Sequence, residues 1–186
     1  MPSFAPTLLL AMPQLDGSWF ERAVILLLEH DDQGSFGLVL NRGGPEGSVD
    51  EVLELLRVER SAVSPGLLIG GPCSPETALV LHNQPKLAPT SNSPVEGLWV
   101  ARDLDELHRI CAEGTDAFWL VLGYAGWSGG QLEDEMEEGS WFIVPPEGQG
   151  ERLMRAPRHK LWRYLAGSIG LEPDALPRTA AETMVH

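Results

Sequence analysis

At 186 residues, the chain has the length of a single domain that can bury a core of its own. Thirteen Lys and Arg against 27 Asp and Glu give a net charge of −14, and 43% of the residues are hydrophobic. The hydrophobic share is that of a soluble globular protein. Proteins bind duplex DNA largely by placing cations on phosphates, so this acidic balance argues against direct DNA binding.

The cysteines and the N-terminus indicate the compartment. Cys73 and Cys111 are far apart and form no C-x-x-C pair, which is typical of buried thiols in a reducing compartment. The first residues lack the basic region of a signal peptide, and the longest apolar run, 23–28, is too short to span a bilayer. We therefore expect a cytoplasmic protein with no membrane partner.

Apolar runs in the first half of the chain predict mainly strands. Strands are expected at 8–12, 23–30, 36–42, 67–69, 77–82 and 98–100. The second and third flank a polar turn, 31–35, and this arrangement predicts a β-hairpin. Apolar residues at helical spacing predict helices at 48–56 and 103–111.

The second half of the chain is expected to begin with a buried strand, 117–122, that ends in a glycine-rich turn, 123–130. A short helix, a strand and a last helix are expected next, at 131–138, 141–144 and 158–169. Residues 173–186 show no period and are expected to form an extended tail. Several neighbouring strands have no helix between them, so the predicted class is a single α+β domain with much antiparallel pairing.

The glycine-rich segment GYAGWSGGQLE, residues 123–133, is the strongest indication of a site. Glycine allows a backbone to approach another group closely. The segment also carries the four side chains that we expect to gather around a ligand or partner: Tyr124, Trp127, Gln131 and Glu133. The turn Gly70-Gly71-Pro72 is expected beside them, although Trp127 could instead simply pack over that turn.

Catalytic alternatives stay open. Residues 126–130 have the G-x-S-x-G spacing of a nucleophile elbow, with Ser128 as the nucleophile, but the chain is short for an α/β-hydrolase. A hydrolase or transferase could instead use Glu29, His30 or His82 as acid or base. The same three residues could hold a metal, although the five histidines lack any metal-binding spacing, and neither a metal nor a cofactor is expected.

Two polar pairs mark the two ends of the predicted hairpin. In a simple register Glu29 faces Gly37 and Asn41 faces Ile25, which separates Glu29-His30 from Asn41-Arg42 by roughly 13 Å at about 3.3 Å per residue. The pairs would then serve different edges of the sheet. In a purely structural interpretation, Arg42 pairs with a carboxylate and Asn41 closes a turn.

Several motifs in order resemble the YqgE/AlgH family of bacterial proteins. They are LAMP at 10–13, EH at 29–30, GLVLNR at 37–42, GGP at 70–72, LH at 81–82, GYAGW at 123–127 and GQLE at 130–133. The resemblance runs from about Leu8 to Leu171 and departs from the family pattern at Ser128 and in the tail. It implies a bifurcated, largely antiparallel sheet curled into a pseudo-barrel with flanking helices. It implies no settled activity, although some members are described as transcriptional regulators.

The combined prediction is a binding or regulatory domain without catalytic activity. Its partner would be a protein or a small molecule. Its working surface would join the turn at 70–72, the block from Tyr124 to Glu133 and one of the polar strand ends.

Overall fold

Eight strands form one strongly curled sheet in the described part of the chain. The computed structural model describes residues 3–45, 48–58, 65–86, 93–102, 104–113 and 118–171. The strands are β1 (Thr7–Ala11), β2 (Val24–Asp31), β3 (Gly34–Val39), β4 (Gly66–Ile69), β5 (Cys73–His82), β6 (Trp99–Ala101), β7 (Phe118–Ser128) and β8 (Trp141–Val144). Their order is β6-β5-β7-β3-β2-β1-β8, and β4 pairs only with β7.

Five α-helices surround this sheet within the same residues. They are α1 (Ser48–Leu55), α2 (Leu104–Glu113), α3 (Gln131–Glu137), α4 (Gly150–Arg155) and α5 (Arg158–Ser168). All strand pairings are antiparallel except β4 with β7. The predicted α+β class with a bifurcated, largely antiparallel sheet is confirmed. The predicted tail, 173–186, lies outside the described residues.

The hairpin β2–β3 is present, but its predicted register is wrong. Leu27 pairs with Gly37, a bulge follows, and Glu29 then pairs with Phe36. The turn is tighter than predicted because the Asp31 carboxylate accepts the backbone N–H groups of residues 33 and 34, at 2.8 and 3.2 Å.

The prediction that the glycine-rich block ends the preceding strand is wrong. β7 continues through it to Ser128, and its last residues pair with β3. Gly123 has φ +70°, and the pairing of β7 with β5 shifts register between Cys73 and Ala78, next to this glycine. Between the pairs that Cys73 and Ala78 make with β7, residues 74–77 of β5 lie opposite Gly123 alone, so the extra residues belong to β5. We call this irregularity the bulge at Gly123, and β7 continues through it as one long strand.

One ion pair shows the direction of the curl. Glu29 on β2 and Arg102 after β6 lie 2.6 Å apart, although four strand spacings separate β2 from β6 in the sheet order. A flat sheet would place them roughly 19 Å apart at about 4.8 Å per spacing. The sheet must curl with this face inside, and we call it the concave face.

The concave face holds the main core, and helices cover the outer face. Leucines from most of the strands fill the concave face, where α5 adds Leu161 and Leu165. On the outer face, α1 and α2 pack against the first half of β7, and α3 packs against its second half. Among the described helices, none is long and apolar enough to cross a membrane.

Candidate functional site

The fork of the sheet lies at Gly123. On one side of β7, β4 pairs with residues 119–122 and β3 pairs with residues 125–128. Gly70 and Gly71 pass over the backbone at the point where the partners change. A Cβ on Gly71 would lie 1.9 Å from the carbonyl carbon of Tyr124, and one on Gly70 would lie 2.4 Å from the oxygen of Gly123. Glycine is required here because two backbones cross in contact.

The bulge at Gly123 decides where Tyr124 lies. Val121 packs in the concave core and Leu122 packs on the outer face, as alternation requires. The positive φ of Gly123 resets this alternation, so Tyr124 returns to the concave face. There its ring lies 4.9 Å from that of Phe36, centre to centre, and both rings are half-buried.

These two rings form the floor of an open groove of about 550 Å³ on the concave side of the sheet. We call it the Tyr124 groove. The residues lining it come from the β2–β3 hairpin, the start of β5, the end of β7 and the first residue of α3. They are Glu29, Asp31, Gln33, Gly34, Ser35, Phe36, Cys73, Tyr124, Gly126, Trp127, Ser128 and Gln131.

Polar side chains form the walls of the Tyr124 groove. The Arg102 guanidinium, besides pairing with Glu29, lies 5.3 Å from the centre of the Phe36 ring. On the opposite wall the Gln131 amide oxygen accepts the backbone N–H of Ser128 at 3.1 Å. The groove therefore combines an aromatic floor, carboxylates and an amide, which are groups that bind and orient a ligand.

The four side chains expected to gather around one ligand lie on two faces. Tyr124 and Gln131 line the groove, but the Trp127 indole lies on the outer face and is only 7% exposed. It belongs to the strand and not to a turn, and it packs 5.9 Å from the Trp141 ring, centre to centre. The expectation that all four share one surface is wrong. Residues an odd number of positions apart in a strand, such as Tyr124 and Trp127, point to opposite faces.

A carboxylate on α3 holds both of these indoles. Glu135 Oε2 accepts the indole N–H of Trp127 at 2.9 Å and that of Trp141 at 2.7 Å. Its other oxygen accepts an N–H from the Gln131 amide at 2.9 Å. Glu135 thus links the buried outer face to a side chain of the groove wall.

His30 lies on the outer face, opposite Glu29. Its Nδ1 lies 2.9 Å from the Ser35 hydroxyl, and its Nε2 lies 3.8 Å from Glu133 Oε1. The ring of Phe4 stacks on the imidazole at 3.8 Å between centres. A hydroxyl, an imidazole and a carboxylate therefore follow one another in space, and the side chains of His30 and Ser35 are both buried.

His82 is separate from both of these groups. It is fully buried, its Nδ1 accepts the backbone N–H of Gln84 at 3.3 Å, and its Nε2 lies 3.9 Å from Glu106 Oε1. Burial lowers the pKa of His82 from its usual 6.5 to about 4. His82 is therefore neutral near pH 7, and it is not among the residues that line the Tyr124 groove.

Asn41 and Arg42 bind structural partners at the open end of the hairpin. The Asn41 side chain accepts the N–H of Val24 at 2.8 Å and donates to the carbonyl of Arg22 at 2.7 Å. Arg42 donates to the Trp19 carbonyl at 2.6 Å, and its guanidinium lies 4.5 Å from the centre of that ring. A ligand-binding role for this pair stays a prediction, and the pair is not part of the Tyr124 groove.

Some of the remaining predicted site residues line the Tyr124 groove and others do not. Gly70 and Gly71 are buried at the crossing, whereas Pro72 is exposed next to Cys73 of the groove. Ser128 lines the groove, and its hydroxyl bonds to the Gln131 amide oxygen at 3.3 Å. Within the described ranges, no group of three or more His, Cys, Asp and Glu side chains is placed to hold a metal ion.

Sequence reasoning missed four contributors to this region: Phe36, Cys73, Arg102 and Glu135. The sequence predicts a buried thiol at Cys73, yet Cys73 is free, half-buried and part of the groove lining. The simple register faces Glu29 with Gly37, and only the bulge after Leu27 moves Glu29 opposite Phe36, so the sequence could not place these two on one face. Nothing local to Arg102 could have placed it beside Glu29, because the curl of the whole sheet brings them together.

Comparison with known proteins gives the family. The AlgH-like family model matches residues 8–174, most of the chain. The chain belongs to the AlgH-like family. A UPF0301 protein of Myxococcus xanthus is 36% identical over 181 residues, covering 95% of this chain and 96% of that protein. A UPF0301 protein of Shewanella oneidensis is also 36% identical, with 92% and 94% covered.

Solved structures show the same fold. The solution structure of the AlgH protein from Pseudomonas aeruginosa superposes with a TM-score of 0.69 at 28% identity, covering 92% of this chain and 94% of that one. The crystal structure of protein DIP2367 from Corynebacterium diphtheriae gives 0.66 at 23% identity, covering 95% and 91%. The second likeness concerns the fold alone. None of these names states an activity, so function must be argued from the groove.

Proposed function

We propose that this member of the AlgH-like family is a ligand-binding domain without catalytic activity, and that it binds in the Tyr124 groove. The observation that carries the proposal is the pair of half-buried rings, Phe36 and Tyr124, at the floor of a cavity of about 550 Å³. Apolar contact area with a few directed polar groups around it is the usual composition of a binding site. Glu29, Asp31 and Gln131 supply those polar groups.

Binding is favoured over catalysis because the candidate acids and bases are dispersed. Glu29 lies on the concave face in an ion pair, His30 is buried on the outer face, and His82 is buried beside Glu106. General acid–base catalysis needs such groups within hydrogen-bond reach of one reacting centre. The groove lining as described contains no histidine. Of its two serines, Ser128 bonds to an amide oxygen, and the hydroxyl of Ser35 is buried beside His30 on the outer face.

A protein segment and a small molecule both suit an open groove. Direct contact with DNA is not part of the proposal, because the net charge is −14. The proposal includes a cytoplasmic location, which follows only from the sequence pattern and stays a prediction. Fractionation of cells that express the full chain would test that part separately.

The two tyrosines of the chain provide a matched test. Cys73 lines the groove, so an occupant should slow its modification by iodoacetamide, read at that residue by mass spectrometry. Pools of metabolites and of short peptides would be screened for this shielding. For an active pool, Tyr124→Ala should weaken binding by more than about tenfold, since it removes half of the aromatic floor. Tyr164→Ala, an exposed ring on α5, should leave the affinity unchanged.

The same measurements can refute the proposal. Compounds that bind the protein without shielding Cys73, and that bind the Tyr124→Ala and Tyr164→Ala variants equally, would show that the ligand site is elsewhere. Conversion of a bound compound into a product at the groove would refute the absence of catalysis. Thermal unfolding of both variants would confirm that the fold is retained.

A further inference from the structure

The last residues of β7 form an open edge of the sheet. The first half of β7 has β5 on one side and β4 on the other. After Tyr124, which pairs with Cys73, no described strand continues on the β5 side, and residues 125–128 pair with β3 alone. The edge that is left faces the Tyr124 groove, because Gly126 and Ser128 both line it.

The backbone groups of Gly126 point toward this open edge. The Ser128 N–H donates to the Gln131 side chain and therefore points away from β3. Along a strand, the N–H and C=O of every second residue point to the same side, so those of Gly126 also point away from β3. A hydrogen bond in the first half of β7 leads to the same direction for the Gly126 backbone groups. The Leu122 carbonyl accepts the Gly70 N–H on the β4 side, and the bulge at Gly123 then reverses the alternation.

Gly126 also leaves room for another chain. It is exposed, and a Cβ at this position would lie 3.2 Å from the Tyr124 ring. The absence of a side chain therefore opens the backbone to the groove, directly above the aromatic floor. An exposed donor and acceptor on an edge strand are the groups that pair with an added strand.

We propose that the Tyr124 groove binds an extended peptide segment of a partner protein, which adds as a strand along the free edge of β7 at Gly126. A basic side chain of that segment would lie near the carboxylates of Glu29 and Asp31. This inference rests on the proposed function and names the class of ligand. Pairing with the Gly126 backbone would supply affinity, and the Phe36–Tyr124 floor with the two carboxylates would select side chains.

Charge identifies the occupant among the alternatives. Two carboxylates, Glu29 and Asp31, line the groove, and Arg102 pairs with the first of them. One negative charge is left without a cation in this set, so a cation is the complementary group. A second copy of the chain would bring the same carboxylates and a net charge of −14 to the same edge. The chain's own residues 173–186 contain two acidic residues, one arginine and two prolines, a composition that suits neither the charge nor strand pairing.

A library of random heptapeptides displayed on phage would be selected on the full-length protein, with Gly126→Val as the counter-selection. Valine fills the opening on the groove side, where its Cβ would lie 3.2 Å from the Tyr124 ring. Selected peptides would then be synthesised in three forms: unmodified, N-methylated at single amides, and with the basic residue replaced by Glu. N-methylation removes a donor and blocks the approach of the strand, so one or more such forms should bind roughly tenfold more weakly or worse. The Glu form should also lose affinity.

Amide hydrogen exchange of Gly126, followed by NMR, provides the decisive readout. Binding of an unmodified peptide should slow exchange at this amide and leave the amides paired with β3 unchanged. If selected peptides bind but tolerate N-methylation at every amide and do not protect Gly126, strand addition is wrong, whereas shielding of Cys73 would still support the groove as a binding site. If no peptide is enriched over the Gly126→Val control, the inference is also wrong.

Two further results would assign the open edge of β7 to a different occupant. If the Gly126 amide of the free protein is protected in a concentration-dependent way, a second copy occupies the edge. If it is protected at every concentration, the chain covers its own edge. Either result overturns the assignment to a partner peptide. The folding of the Gly126→Val variant is checked by its unfolding transition, and Gly126→Ala, a smaller change, should give an intermediate loss of binding.

Discussion

Replacing Glu135 by alanine should destabilise the protein far more than its partial exposure suggests. Glu135 Oε2 accepts two indole N–H groups, from Trp127 at 2.9 Å and from Trp141 at 2.7 Å. The two tryptophans are only 7% and 5% exposed. Without the carboxylate, both indole donors would lie in the core beneath α3 with no acceptor.

The size of the effect follows from the cost of unpaired buried donors. Each buried donor that loses its acceptor costs about 1–3 kcal/mol. Two such donors, with partial access for water because Glu135 is not fully buried, give an expected loss of about 2–4 kcal/mol in the free energy of unfolding. Glu135→Gln keeps an acceptor oxygen but not its charge, so it should cost about 1 kcal/mol.

Urea unfolding measured by tryptophan fluorescence would give these free energies. The matched control is Glu137→Ala, an exposed carboxylate on the same helix, which should change stability by less than about 0.5 kcal/mol. Near-UV circular dichroism would report on the contact between the two indoles. If Glu135→Ala is as stable as Glu137→Ala, the bonds to the indoles add no net stability and the reasoning is refuted.

Two further predictions concern the buried histidine and the backbone crossing. Burial lowers the pKa of His82 from 6.5 to about 4. As the pH falls, the His82 imidazole therefore takes up a proton in the unfolded chain before it does so in the folded protein. Stability should therefore be full above pH 6.5 and fall by about 3 kcal/mol as the pH drops to 4, and this dependence should be absent in His82→Gln. Gly71→Ala should cost about 3 kcal/mol or more, because its Cβ would lie 1.9 Å from the Tyr124 carbonyl carbon. The control Gly43→Ala, which meets no atom within 4 Å, should be nearly neutral.

Each of these two predictions has an outcome that contradicts it. A stability that rises toward pH 4 relative to His82→Gln would mean that Glu106, 3.9 Å away, holds the imidazole in its charged form. Equal stability of the Gly71 and Gly43 variants would mean that the backbones do not cross in contact. Both are read from urea unfolding curves, the first as a series in pH.

Local signals predicted the elements that depend on local chemistry. The hairpin β2–β3 follows from two apolar runs around a polar turn, and the last helix follows from Pro157 and Gly170 at its ends. Helix α4 was missed because its six residues carry too short a pattern to reveal a period. The end of β7 was misplaced because glycine in a sequence indicates a turn, a bulge or a close crossing equally well.

The amino-acid sequence by itself determined that this chain forms strands and helices of an α+β domain and that it is strongly acidic. It also indicated that the glycines of residues 123–133 allow an unusual backbone conformation or a close approach of another backbone. Only the tertiary structure decided which of those residues share a surface. The bulge at Gly123 turned Tyr124 to the concave face, and the curl of the sheet brought Arg102 to Glu29. The spacing of apolar residues indicates which face of a regular strand each residue lies on. A bulge and the curvature of a sheet depend instead on contacts between residues far apart in the chain.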